Sequence, residues 1–459
     1  MSTGALIGLQ GLQVKEEEKK EAMTKWRHWL KLGALITAVT CLPGISFAAS
    51  EVDILLEKLV EKGVLSNIDA GIIRKEITET KEARNKEIAK DIVPTSARNW
   101  NWKGDIRLRN EFRDGEGDSS TATTNTGRGT DNRVNRQRIR FRFGTEGKVA
   151  ENLKANFRLA TGTAGDPVST NQSFDVNFTK VSIFLDSANL EWTPAVPGIT
   201  KTTLIGGIME NPLWTVGPMV FDGDTTFHGL AGKVSQEMGP VTVFTNNGIF
   251  VLDTDETEPS ALWMAQLGAS AKLFPDAALD DEFLVNLKLT GAVAYHDYMN
   301  TYRNASGRAD TDPLVREAQN TSAAEDFNQL NPTVELSSVV AGVPFSLFSD
   351  FVHNYGGENG ANNGFQFGVK LGKATTPWSL KNGWEAGYFF QRLEQDAAYD
   401  EFADSDFLDG GTNNHGNVFW ITLATLKNST AGIKFFKTEN LKGAKDTETR
   451  IQMDWVTKF

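Results

Sequence analysis

Cysteine is almost absent from this chain: Cys41 is the single one in 459 residues. That excludes a disulfide framework and a cysteine-built metal or redox centre. Histidine is also scarce. His28 lies near the N-terminus, and His228, His296, His353 and His415 are scattered over later segments. Nucleophilic catalysis needs serine, histidine and an orienting group close together. The best pair, Ser349 and His353, stands four residues apart on one strand face, too far for a direct hydrogen bond. No Gly-rich phosphate loop and no zinc-ligand spacing occurs, so no cofactor and no enzymatic activity are expected. A basic surplus is missing as well: 47 Lys and Arg face 59 Asp and Glu, a charge of -12, which argues against general nucleic-acid binding. Past the first fifty residues no run of roughly 18 uncharged apolar residues appears, so no membrane-spanning helix is expected there.

Glycine, phenylalanine and tryptophan are plentiful (42, 28 and 11), and the clearest pattern lies in the last ten residues. Ile451, Met453, Trp455, Thr457 and Phe459 alternate with Arg450, Gln452, Asp454, Val456 and Lys458. A period of two marks a strand with one apolar and one polar face. At the other end, residues 23–48 read as a secretory signal peptide. Lys25, Arg27, His28 and Lys31 precede an apolar core from Leu32 to Leu42, and Ser46-Phe47-Ala48 is a small-x-small cleavage site. Residues 1–22 read as an extension ahead of the true start at Met23. Cys41 follows Ala38-Val39-Thr40, a poor lipidation motif.

Residues 49–98 read as a helical segment. Val52, Leu55, Leu56, Leu59 and Val60 recur at helical spacing, Gly63 suits a C-cap, and Ser66 with Asp69 suits a capping box. Residues 99–459 read as strands and turns. About sixteen strands are expected, at 102–113, 135–146, 153–161, 181–192, 200–208, 228–235, 241–251, 262–273, 283–296, 332–340, 345–354, 364–372, 384–393, 417–426, 430–437 and 449–459. Connections after odd strands are mostly long and polar, as at 114–134, 162–180, 209–227 and 394–416. Those after even strands are short, as at 147–152, 236–240, 341–344 and 427–429. Long-short alternation around an even count is the topology of an all-β transmembrane barrel of antiparallel strands. The short-turn side, with the N-terminal segment and the C-terminus, is then periplasmic. The alternative is a secreted or surface β-rich carbohydrate-binding protein with exposed tryptophans, which would stay soluble without detergent.

Several short strings carry a resemblance. They are Leu55-Leu56-Glu57-Lys58-Leu59, Lys62-Gly63-Val64-Leu65, Trp102-Lys103-Gly104-Asp105-Ile106-Arg107-Leu108-Arg109, Arg136-Gln137-Arg138-Ile139-Arg140-Phe141-Arg142 and Gly206-Gly207-Ile208-Met209-Glu210-Asn211-Pro212. With them, the chain from about residue 51 resembles the putative porin family of Gram-negative outer membranes. The resemblance implies a passive diffusion channel for small hydrophilic solutes or ions, integral to the outer membrane and assembled as a homo-oligomer, a trimer in many porins. The partners it implies are outer-membrane lipid, lipopolysaccharide and the barrel-insertion machinery. A terminal strand ending on phenylalanine suits recognition by that machinery, which makes Trp455 and Phe459 the expected assembly signal.

The expected pore chemistry comes from the strands. Arg107, Arg109, Arg136, Arg138, Arg140, Arg142 and Arg158 each stand opposite apolar residues. A guanidinium on the lipid face at mid-membrane costs about 2–4 kcal/mol, so all should face the lumen as a basic wall. Two readings of the wall stay open: a selectivity element, or structural pairs with lumenal carboxylates such as Asp105 and Glu111. The third long connection, 209–227, holds Glu210, Asp222 and Asp224 and is the expected constriction loop. It would face the arginines across a narrow aqueous gap and set up a transverse field there.

Overall fold

Period-two alternation can be satisfied by burying one strand face and leaving the other apolar face outside, and this happens throughout the sheet. The computed structural model describes residues 100–117, 132–174, 177–254, 259–273, 284–299, 327–357, 360–443 and 446–459, together with Lys58, Val60 and Lys62. The strands are β1 (Trp100–Gly117), β2 (Asn132–Ala150), β3 (Leu153–Thr161), β4 (Gln172–Ser173), β5 (Ile183–Trp192), β6 (Lys201–Glu210), β7 (Thr226–Met238), β8 (Val241–Asp253), β9 (Ser260–Lys272), β10 (Leu284–Met299), β11 (Phe327–Val340), β12 (Val343–Asn354), β13 (Asn363–Gly372), β14 (Trp384–Leu393), β15 (Asn414–Leu426), β16 (Ser429–Asn440) and β17 (Asp446–Lys458). Long strands adjacent in sequence pair antiparallel, and β17 pairs with β1 as well as with β16, which closes the sheet into a barrel. Closure removes the free edges that an open sheet would expose.

Sixteen long strands match the sixteen expected from the sequence, with longer bounds in several places. β1 and β2 run to 18 and 19 residues because their polar ends keep pairing past the last apolar position. The strand expected at 181–192 starts at Ile183. The seventeenth, β4, is two residues long. It pairs with Arg138 and Ile139 of β2 beyond the end of β3, and so fills the place that short β3 leaves open.

The two faces differ as the alternation requires. Leu108, Leu230, Leu267, Val293, Phe367, Ile433 and Met453 are exposed on the outer face, while Arg109, Arg450 and Gln452 are buried on the inner one. The seam between first and last strands is finished by Phe459. Its carbonyl accepts from the Gly104 amide (2.9 Å) and its amide donates back to the Gly104 carbonyl (3.0 Å). Glycine is required at 104, since a Cβ there would stand 2.7 Å from the Phe459 ring and 2.6 Å from the Arg142 carbonyl. The Phe459 ring then stacks on Phe143, 6.4 Å between centroids.

The barrel interior is filled by connections that turn inward. From the 211–225 connection, Leu213, Met219, Val220 and Phe221 are buried against Phe227, Phe250, Leu262, Met264 and Tyr298 of the wall. The 394–413 connection, which carries a single 3-10 turn at Asp400–Phe402, adds Ala397, Ala398, Phe402 and Ala403 to the same cluster. Its Phe407 and Leu408 pack against Phe348, Phe389, Val418 and Phe436. Burying one such large side chain contributes about 1.5–3 kcal/mol, more than the ~1 kcal/mol of an ordinary hydrogen bond, so apolar packing holds these loops inside.

Residues Thr95–Phe459 form one compact unit and Met1–Pro94 another. In the latter, Lys58 and Val60 are helical and the Lys62 amide donates to the Lys58 carbonyl at 3.1 Å. The expected extension at 1–22, the signal peptide at 23–48 and the rest of the helical segment at 49–98 lie outside the described residues. So do the connections 118–131 and 300–326.

Candidate functional site

The arginines of the first strands come together on the inner face, and each is described by its partners. Asp105 of β1 takes both Arg140 (2.8 Å) and Arg142 (2.7 Å) from β2. Glu111 takes Arg136 at 2.6 Å and Arg138 at 3.9 Å, and its second oxygen accepts from Gln452 at 2.9 Å. Arg109 grips Asp454 of β17 with two parallel bonds, 2.7 and 2.9 Å, and reaches Asp406 at 3.1 Å. Such fork-to-fork pairing fixes orientation as well as charge. Arg158 of β3 bonds Asp186 and Glu210 together. Arg107 alone of the seven has no carboxylate within 4 Å among the described residues; it donates to Asn171, and its Nε is buried without a partner.

Two arginines that the sequence reading did not single out complete the wall. Arg450, the largest fully buried side chain, donates to Glu448 (2.9 Å), Asp409 (3.1 Å) and Asp406 (3.5 Å). Arg113 pairs with Asp409 at 2.8 Å and faces Glu448 at 3.8 Å. On the strand faces alone the acids are too few to neutralise so many arginines. The balance is made up by Asp406 and Asp409, delivered by the inward connection 394–413.

The proposed gap between arginines and acidic loop is corrected by the contacts. Asp224 touches the wall directly, 3.6 Å from Arg142 and 3.9 Å from Arg140, and accepts from the Thr170 hydroxyl at 2.8 Å. Burial alone would raise its carboxyl; Arg140, the Thr170 bond and Arg107 outweigh that and hold it below the usual range. Asp222 turns the other way. It accepts from the amide and hydroxyl of Ser405 (2.8 and 2.9 Å), and its own amide donates to the Phe402 carbonyl at 2.6 Å. Burial, then the neighbouring Asp404, pushes the Asp222 carboxyl up to about 8. Asp404 is itself raised by burial against the pull of Lys434. Burial opposes the charge of Asp406 as well, yet Arg109 and Arg450 hold it well below the ordinary carboxylate range.

Ser349 and His353 lie on the outer row of β12, and His353 is engaged with Asn363 at 2.8 Å and with the Tyr355 ring. At the closing seam, the Trp455 indole donates to Thr457 at 3.3 Å, one residue pair from Phe459.

A sequence model of the family described as putative porin matches residues 58–338 and 338–459. The chain belongs to the putative porin family. Among solved structures, this porin is similar to Pseudomonas putida OprB, with 10% identity over 79% of this chain and 94% of that one and a TM-score of 0.49. It is similar to the outer membrane channel DcaP of Acinetobacter baumannii, with 12% identity over 78% and 97% and a TM-score of 0.42. Pseudomonas aeruginosa OpdL gives 11% identity over 79% and 99% and a TM-score of 0.39. No curated protein matches the chain.

In this porin, space on the inner side remains beneath the 211–225 connection. A cavity of roughly 350 Å³ lies between Val216, Gly217 and Pro218 above and the walls of β12 to β17. The polar row of β17 was visible in the sequence, and Arg450 and Asp454 belong to it. The acids of 394–413 were not. Their one signal is Phe402, Phe407 and Leu408, three large apolar residues in a connection with no strand pattern.

Proposed function

We propose that this porin is an outer-membrane diffusion channel for small hydrophilic solutes or ions. The observation that carries the reading is the closed barrel of a porin family member with an apolar outer row and a charged inner one. The termini and short turns face the periplasm, the assembly is a homo-oligomer of the trimeric kind, and the outer row meets lipid and lipopolysaccharide. Trp455 and Phe459 form the signal read by the barrel-insertion machinery. The constriction lies where the arginines of β1 to β3 meet Glu210, Asp222, Asp224 and the inward loops. Its uncompensated charge sits on Arg107, the member of the wall without a carboxylate neighbour.

Fractionation should recover the protein in the outer membrane, and the purified barrel should conduct in a planar bilayer. A soluble periplasmic product, or a bilayer that stays silent, overturns the channel reading. Arg107→Gln should move the reversal potential in a salt gradient toward cations, and Asp224→Asn toward anions. Both effects should shrink at about 1 M salt, where the Debye length is near 3 Å.

The pairing of the remaining arginines favours a second reading of the same wall. Bonded as they are to Asp105, Glu111, Asp186 and Asp454, they form a nearly neutral structural lining. In that case Arg138→Gln with Arg140→Gln lowers stability and leaves the reversal potential where it was. A shift toward cations in that double variant assigns the wall to selectivity instead.

A further inference from the structure

The inner-row lysines of β13 and β16 stand in a different setting from the arginines. Lys370 of β13 and Lys434 of β16 both line the cavity under Val216–Pro218. Neither has a carboxylate within 4 Å among the described residues, whereas every arginine of the wall except Arg107 has at least one. Asp404 and Asp406 feel the charge of Lys434, but Asp406 is already taken by Arg109 and Arg450, and Asp454, the one carboxylate lining the cavity, is held by Arg109. What lies beside Lys434 is aromatic: its ammonium is 4.6 Å from the Phe436 ring centre and 6.0 Å from that of Phe389.

The same cavity has an aromatic shelf. Phe348, Phe389 and Trp420 line it, with Phe389 and Trp420 6.2 Å apart between centroids. Glycines in the neighbouring strands make the room. A Cβ at Gly387 would run into the Trp420 indole, and one at Gly368 would run into Phe348. The indole is held in place by its N–H, which donates to Glu385 at 3.1 Å. A strand pair that gives up side chains at two positions lets flat rings lie across it, and the half-buried Trp420 keeps ring surface open to the cavity while Phe348 and Phe389 back it from the buried cluster. Ring faces with ammonium groups at their margin suit a ligand that is flat and apolar over most of its area and negative at one end.

We propose that the cavity on the short-turn side of the 211–225 connection is a binding subsite for small aromatic carboxylates. The ring lies on Trp420 with its edge toward Phe389, and the carboxylate meets Lys434 and Lys370. The inference rests on the channel reading in giving the site a place on a solute path, but binding itself does not depend on conduction. A volume of roughly 350 Å³ accommodates one benzoate-sized molecule.

The test uses benzoate, benzamide and acetate as probes, titrated calorimetrically into the detergent-solubilised barrel, with potassium chloride conductance recorded from the same preparation. Benzoate should bind about tenfold or more tightly than benzamide or acetate, a gap of roughly 1.4 kcal/mol. Lys434→Gln with Lys370→Gln should bring benzoate down to the level of benzamide, and Trp420→Leu should bring it down to that of acetate. Gly387→Ala, which displaces the indole and leaves both charges, should act like Trp420→Leu and guards against a variant that fails to fold. Benzoate binding no tighter than acetate in a barrel that conducts overturns the subsite and leaves the channel reading standing. So does full benzoate affinity in the double lysine variant. Tight benzoate binding in a barrel that never conducts upholds the subsite and overturns the channel reading.

Discussion

Asp222 sits between two inward-folded connections, with Asp404 beside it and Ser405 donating to it, and its carboxyl is raised to about 8 from the ordinary 3.8. In the unfolded chain the same carboxyl loses its proton near 4. Between those values the folded state holds a proton that the unfolded state has released, so stability falls as pH rises through that window and is level above it. Asp406 acts with the opposite sign: its pairing with Arg109 and Arg450 stabilises the fold above the usual carboxylate range and is lost only as the medium becomes strongly acidic. Asp222→Asn removes the first dependence and leaves the second. Urea midpoints of the refolded barrel should therefore match wild type at about pH 5 and exceed it at about pH 9. At this scale the sequence spoke for the arginines, because a guanidinium in lipid is too costly to leave outside. It offered Asp105 and Glu111 as partners but was silent on Asp406 and Asp409, because an acid in a connection carries no mark of where the connection will fold.

The element that the sequence most understated is the connection 394–413. As a string it reads as a polar loop ending in Asp409-Gly410-Gly411-Thr412-Asn413. In the fold it supplies Phe402 to one apolar cluster, Phe407 and Leu408 to another, and Asp406 and Asp409 to the arginine wall. Because apolar packing outweighs its hydrogen bonds, Ser405→Ala alone should leave it in place and single-channel conductance nearly unchanged. Replacing residues 397–410 with a short Gly-Ser linker should raise conductance about twofold or more in planar bilayers, since it takes a large inward element off the path. An unchanged conductance would mean that ions pass elsewhere. The long strands were legible because several repeat period two over most of their nine or more residues. β4 was not, because two residues cannot show a period, and its pairing on β2 follows from where β3 stops.

At the scale of the barrel, the sheet of the Thr95–Phe459 unit closes on itself, and its last joint is Phe459 on Gly104. Deleting Phe459 removes two backbone bonds and the Phe143 stack at the seam, while the inner row, starting with Asp454 and Gln452, stays paired. The expected outcome is a smaller amount of inserted protein with an unaltered conductance per channel, read from membrane yield and bilayer recordings side by side. Wild-type yield from the deletion variant would take the assembly role away from this residue.

The bidentate pair between Arg109 and Asp454 joins positions 345 residues apart in sequence. It cannot form until the first and last strands have met, a long-range closure whose entropy cost sets the expectation that it forms after the folding transition state. Interactions of that kind slow unfolding without hastening folding. Arg109→Gln should therefore shorten the lifetime of the folded barrel in denaturant while its refolding rate into lipid vesicles stays close to wild type. The seam's charge pair is a latch on the way out, and it sets how long the channel lasts rather than how soon it appears.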